Sequence, residues 1–218
     1  MEIGIIGAGH IGGTLARKLS AARHTILLAS ARGPDALKEL ASEVGATAVP
    51  VAEAVKNVDV VVVSIPEKNV PLLPKNLFVG VADDVVIVDT GNYYPGLRDE
   101  LMEEIEHGMP ESVWVSKQLG RPVVKAFNSI MAYSLANHGQ PAGTAARIAL
   151  PVAGDDARAK KIVIALVDAT GFDGIDAGTL AESWRQQPGT PAYCTGLQAA
   201  NSFGVHFQRQ TRHKRPCP

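Results

Sequence analysis

Glu2-Ile-Gly-Ile-Ile-Gly7-Ala8-Gly9-His10-Ile11-Gly12 joins a short apolar strand, Ile3 to Ile6, to three glycines spaced Gly-x-Gly-x-x-Gly. In a strand–turn–helix unit the first of these, Gly7, permits the tight turn. Gly9 lets the backbone approach a pyrophosphate, and Gly12 lets the following helix pack closely on the strand. A helix is expected from His10 to Ala21, with its free N–H groups and positive dipole end facing the phosphates. Gly7, Ala8, Gly9, His10, Ile11 and Gly12 are therefore the expected phosphate cradle of a dinucleotide site.

The second strand bears on which dinucleotide. Thr25 to Ala29 is apolar, and sites for NAD place an Asp or Glu near its end to hold the ribose 2′-hydroxyl. Here the chain reads Ser30-Ala31-Arg32-Gly33. No carboxylate repels a 2′-phosphate, Arg32 offers a planar fork for one, and Ser30 offers a hydroxyl. The reading is NADP(H), with Ser30, Ala31 and Arg32 as its contacts. The alternative makes Arg32 a plain surface charge opening the next helix, Asp35 to Val44.

At 218 residues the chain suits one large α/β domain and is too short for that domain plus a full second one. A net charge of −1 provides no field for nucleic acid or an anionic membrane. No apolar run reaches the roughly 18 residues of a transmembrane helix, and strand one starts at once, so neither a membrane span nor a signal peptide is expected. With only Cys194 and Cys217 there is no disulfide framework, which fits a cytoplasmic location. The basic tail from Arg209 is read as a solvated end.

Strand and helix patterns then alternate as a parallel sheet requires. Strands are expected near 47–49, at 59–65 (stopped by Pro66), at 85–89 and at 122–126. Helices are expected at 51–56, 69–77, 97–107 and 111–118. In an open doubly wound sheet, ligands bind beyond the carboxyl ends of the strands, where strand order reverses. The segments 7–12, 30–32, 64–69, 89–92 and 127–132 should thus line one rim.

Past residue 145 the pattern continues without a linker. Strands at 146–152 and 172–175 flank a helix at 155–169, with Gly154-Asp155-Asp156 as turn and acidic N-cap and no metal site. Helices follow at 180–185 and 191–208. The expected architecture is a Rossmann-type doubly wound parallel sheet of about eight strands. Residues 1–145 form the dinucleotide-binding part, and 146–218 extend the sheet and supply a small helical lobe that closes the cleft.

Gly-Ala-Gly-His-Ile-Gly, Ser-Ile-Pro (64–66), Asp-Thr-Gly-Asn-Tyr-Tyr-Pro (89–95), Val-Val-Lys-Ala-Phe-Asn-Ser-Ile (123–130), Pro-Val-Ala-Gly-Asp-Asp (151–156) and Asp-Ala-Gly-Thr-Leu (176–180) together resemble the NADPH-dependent coenzyme F(420) reductases. The same pattern is similar to the cytosolic reductase domain of the six-transmembrane ferric reductases. The resemblance covers about residues 2–200. It implies that Ser64, Ile65, Pro66 and Asn69 meet the nicotinamide-side ribose. It also implies that Asn128, Ser129, Ile130 and Ala132 lie near the nicotinamide, where a second ring system stacks. Asp89 joins the cofactor rim. Relatives often carry Asn-Ser-Arg where this chain has Ser30-Ala31-Arg32, a loss of one hydroxyl.

Hydride transfer between bound cofactors asks little of side chains, because the rings carry the chemistry. Consistently, His10, His107, His138 and Lys125 form no acid–base constellation, no Ser/His/Asp arrangement or metal-ligand spacing appears, and no catalytic residue is assigned. The acceptor pocket is expected between Asn128 to Ala132 and the loop carrying Trp184 and Pro191, with Trp184 either lining it or anchoring a core. The expected function is hydride transfer between NADP(H) and a deazaflavin (coenzyme F(420)) or a flavin such as FMN or FAD. The alternatives are a dehydrogenase or imine reductase acting on a small metabolite, and an NADP-binding protein without turnover. A small-molecule redox acceptor is the expected partner, with the apolar stretch 191–205 a candidate homodimer face.

Overall fold

Apolar side chains on both faces bury a strand completely, and the first strand, β1 (Glu2–Ile6), is sealed in this way from Ile3 onward. The computed structural model describes residues 1–145 and 147–196. β1 pairs in parallel with β2 (Thr25–Ala29) on one side and with β4 (Val60–Val63) on the other. β3 (Thr47–Ala48) extends the sheet beyond β2, and β5 (Val86–Asp89) and β6 (Val124–Lys125) extend it beyond β4. The order β3-β2-β1-β4-β5-β6 reverses direction between β1 and β4, which is the switch point of a doubly wound sheet.

Alternation along β4 divides the interior. Val60 and Val62 join Ile3, Ile5, Leu15 and Leu28 in a core beneath the helices α1 (His10–Ala21) and α2 (Lys38–Val44). Val61 and Val63 join Ile6, Ile87 and Phe78 on the opposite face. Gly12 is required where α1 meets the sheet, since a Cβ there would sit 1.9 Å from the Gly7 carbonyl oxygen.

Eight strands are present among the described residues, as the pattern anticipates, but they form two sheets. β7 (Ala149–Val152) and β8 (Asp173–Asp176) pair only with each other, in parallel, flanking α6 (Ala157–Ala169). The edge of β6 is taken instead by a reciprocal antiparallel bridge from Lys125 to Ala153, with N–O distances of 2.8 and 3.1 Å. Leu150, Val152, Val163, Leu166 and Phe172 nevertheless share the core of β1 and α1, so residues on both sides of position 146 bury one interior. Asp156 caps α6 by accepting from the Ala159 N–H at 2.6 Å.

Several expected helices are shorter or absent. Residues 51–55 form turns, and 67–72 form a 3-10 helix that contains Pro71. Within 97–107 only α3 (Glu103–Glu106) is helical. The preceding loop is held by the buried Asp99 carboxylate, which accepts from the Tyr94 N–H at 2.9 Å and the Lys68 N–H at 3.3 Å. A side chain that satisfies loop N–H groups competes directly with helix formation. α4 (Glu111–Leu119) forms as expected, and α5 (Ala132–Asn137) was not anticipated. Residues 180–186 are a 3-10 helix, and 191–194 are turns rather than the start of the expected helix at 191–208. The remainder of that helix, most of the proposed dimer face, the basic tail and Cys217 lie outside the described residues. No described helix is long and apolar enough to cross a membrane.

Candidate functional site

Backbone hydrogen bonds stitch the carboxyl ends of the strands into one continuous rim. The Gly7 N–H donates to the Ala29 carbonyl at 2.8 Å, placing the glycine turn beside Ser30 to Arg32. On the other side the Ser64 N–H donates to Ile6 at 2.8 Å. The contact is tight, because a Cβ on Gly7 would lie 2.1 Å from the Ser64 carbonyl oxygen and Gly7 has φ 110°. The Thr90 N–H donates to Val63, and Ala126 N–H to Asp89, both at 3.1 Å, which continues the rim to Phe127.

At the centre of this rim, Gly9 caps α1 with extended backbone and no side-chain cap, and a Cβ on it would meet nothing within 4 Å. The first turn of α1 therefore opens onto free space, with Ala8 and Ile11 half-buried and Gly9 and His10 exposed. Uncapped N–H groups at a helix start bordering a glycine are the geometry that takes a pyrophosphate, so the dinucleotide expected from the sequence fits this cradle. At the end of β2, Ser30 is half-buried, Ala31 and Arg32 are exposed, and the Arg32 N–H donates to Ser30 Oγ at 3.3 Å. No carboxylate stands at this strand end. Ser64, Ile65, Pro66 and Asn69 are all half-buried along the rim beside the glycine turn.

Beneath the rim lies a buried charged cluster that the sequence reading passed over. Lys125, read only as a strand end, is fully buried and donates to Asp89 Oδ2 at 3.0 Å and to the Gly91 carbonyl at 2.6 Å. Asp89 also accepts from Ser112 Oγ at 2.6 Å and from the Gly91 N–H at 2.8 Å. The Asp89 carboxylate, expected among the cofactor contacts, is thus taken up in holding the 89–92 loop from below. Glu67 is buried with its Oε1 3.9 Å from Lys125 Nζ, and neither of its oxygens has a hydrogen-bond partner. Burial, reinforced by the Asp89 charge, drives its carboxyl well above the usual carboxylate range. Burial opposes the charge on Lys125, but Asp89, Glu67 and Glu111 outweigh it and hold the ammonium upward. A lysine inside an apolar strand, with an aspartate ending the strand that proves to be its neighbour and directly opposite it in register, was the available signal, because a buried charge requires a partner. Nothing local marked Glu67.

The end of the rim around residues 127–132 is built from amides. Asn128 Nδ2 donates to Asn92 Oδ1 at 3.1 Å and to the Gln186 carbonyl at 2.7 Å, while Gln186 Nε2 donates to Asn128 Oδ1 at 2.9 Å. The structure thereby brings 128–132 against the loop that follows Leu180. Trp184 is half-buried, with the Arg185 guanidinium 5.5 Å from its ring, and Pro191 is exposed. A small cavity of about 20 Å³ beside Ser129, Ile130 and Met131 is lined from the C-terminal side by Ala192 and Cys194, and includes neither Trp184 nor Pro191. Ala132 opens α5. Among the described residues no cluster of His, Cys, Asp or Glu could hold a metal ion.

Fold, glycine cradle and strand order define a dinucleotide-binding protein of Rossmann type. Residues 2–93 match the family described as NADP oxidoreductase, coenzyme F(420)-dependent. A hypothetical protein of Sinorhizobium meliloti is 30% identical with a TM-score of 0.75, the match covering 91% of this chain and 95% of that one. The chain belongs to this NADP oxidoreductase family. The fold is shared with a candidate F(420)-dependent NADP reductase from Arthrobacter sp., which is 22% identical with a TM-score of 0.66 over 84% of this chain and 87% of that one. An imine reductase from Myxococcus stipitatus in complex with NADP+ is 21% identical with a TM-score of 0.60, over 83% of this chain but 56% of its own. The Escherichia coli protein YjhV is 48% identical over 67 residues, 30% of this chain, so the match spans about half of that curated relative.

Proposed function

We propose that the protein transfers a hydride between NADP(H) and a planar deazaflavin or flavin acceptor. The observation that carries this reading is the open N-terminus of α1 at Gly9, flanked by a strand end that presents Ser30 and Arg32 and no carboxylate. The first turn of α1 binds the pyrophosphate, Arg32 and Ser30 take the 2′-phosphate, and Ser64 to Asn69 hold the second ribose. The bound nicotinamide supplies the hydride chemistry. The amide cluster of Asn92, Asn128 and Gln186 fixes the wall on which the acceptor stacks and keeps water from the reacting face.

A ring acceptor is favoured because the match extends over 95% of the Sinorhizobium protein and over 87% of the Arthrobacter one, the candidate F(420)-dependent NADP reductase. The test is to mix the protein with NADPH and either deazaflavin, FMN or FAD, and to follow loss of the dihydronicotinamide absorbance, with NADH as control. Oxidation of NADPH with none of these acceptors refutes the reading.

A further inference from the structure

Two tyrosine hydroxyls meet at the nicotinamide end of the rim, and they reach it from opposite sides. Tyr94 follows β5, two residues after Asn92, whose side-chain amide donates to the Asn128 carbonyl at 3.0 Å. Tyr193 comes from the C-terminal segment, which is fastened beside the same turn by the Cys194 N–H donating to the Ser129 carbonyl at 2.9 Å. The hydroxyls of Tyr94 and Tyr193 hydrogen-bond to each other. Both residues are half-buried, so the pair is open to solvent and not sealed in the core.

A fixed cation stands over the Tyr94 ring of this pair. The Arg98 guanidinium lies 5.0 Å from the centre of the Tyr94 ring, and it is held by the fully buried Asp99 carboxylate at 3.0 Å and by the Asn92 carbonyl. A guanidinium fixed over a phenol favours negative charge developing on its oxygen. The other possible proton sources are elsewhere. Glu67, Asp89, Lys125 and Glu111 are sealed beneath the rim, and His10 is exposed at the pyrophosphate end.

Resting on the hydride-transfer reading above, we propose that the Tyr94–Tyr193 pair is the proton donor that completes reduction of the acceptor. Hydride transfer breaks the dihydronicotinamide C–H bond and moves its electron pair with the hydrogen to the acceptor ring. The products are NADP+ and a ring anion that lacks one proton. The Tyr94 O–H bond breaks as a ring N–H bond forms, leaving a phenolate under Arg98. Tyr193 passes its own proton to that phenolate and regains one from solvent. In the opposite direction the same two oxygens accept the proton. Burial, with the Tyr94 hydrogen bond, holds Tyr193 above the usual phenol range, so it keeps its proton until the Tyr94 phenolate beside it needs one. The titratable groups that face the pair are Arg98 and Asp99 from the β5 loop and Cys194 beside Tyr193.

The test uses the full chain and the variants Tyr94→Phe, Tyr193→Phe and both together, with NADPH and deazaflavin or flavin as substrates. NADPH affinity, read by fluorescence, is expected to stay within twofold. Tyr94→Phe is expected to lower kcat at least tenfold at alkaline pH. That loss narrows as the pH falls and solvent acids replace the phenol, and the solvent deuterium isotope effect changes. Tyr193→Phe gives a smaller loss, and the double variant little more than Tyr94→Phe alone, because the two act in series. Folded variants with the wild-type kcat and pH profile overturn the proposal, as does a rise in KM with kcat retained. Wild-type protein that oxidises NADPH with no ring acceptor overturns the functional reading first, and is recognised before any variant is made.

Discussion

Replacing Lys125 by Met removes the single cation from a buried cluster while keeping an unbranched side chain of similar length. Asp89 keeps the Ser112 hydroxyl and the Gly91 N–H, but loses the 3.0 Å ammonium, and the Gly91 carbonyl loses its 2.6 Å donor. Stripping one partner from a buried ion pair costs roughly 3–5 kcal/mol. For a chain of this length each kcal/mol moves Tm by about 2–4 °C, so a drop of roughly 6–20 °C is expected at pH 7. Thermal melts and urea unfolding of wild type and variant read the loss. A loss below about 1 kcal/mol at pH 7 refutes the account of the cluster.

Glu67→Gln probes the same cluster with the opposite sign. Because the folded protein raises the Glu67 carboxyl, its stabilising contribution is complete below the ordinary value of 4.5 and is lost as pH rises through the folded-state value. Wild-type Tm should fall over that range more steeply than that of Glu67→Gln, and parallel curves would exclude a raised carboxyl. Arg32→Ala should weaken NADPH binding by about 1.5–3 kcal/mol and leave NADH affinity unchanged; equal losses for both cofactors would remove Arg32 from the 2′-phosphate site. Gly9→Val should abolish NADPH binding with the circular dichroism spectrum intact, since the new side chain enters space that is open in the fold. Retained affinity would place the pyrophosphate elsewhere.

The periodicity of the chain was enough for the parallel sheet and its phosphate turn. β1, β2, β4 and β5 are contiguous apolar runs, and the glycine spacing acts through the local backbone, as the 1.9 Å approach at Gly12 shows. Such features depend on neighbours a few residues away, and a linear reading reaches them. The split of eight strands into two sheets was decided in three dimensions, because it turns on whether β6 accepts β7 alongside or is capped by Ala153, and both have the same sequence pattern. The helix expected over 97–107 was lost for a similar reason, as Asp99 captures N–H groups from Tyr94 and from the distant Lys68. The buried cluster of Lys125, Asp89 and Glu67 and the Tyr94–Tyr193 contact join residues 22 to 99 positions apart. Charge and hydroxyl chemistry carry no periodicity, so only the packing of strand ends and of the C-terminal segment brings those groups within bonding distance.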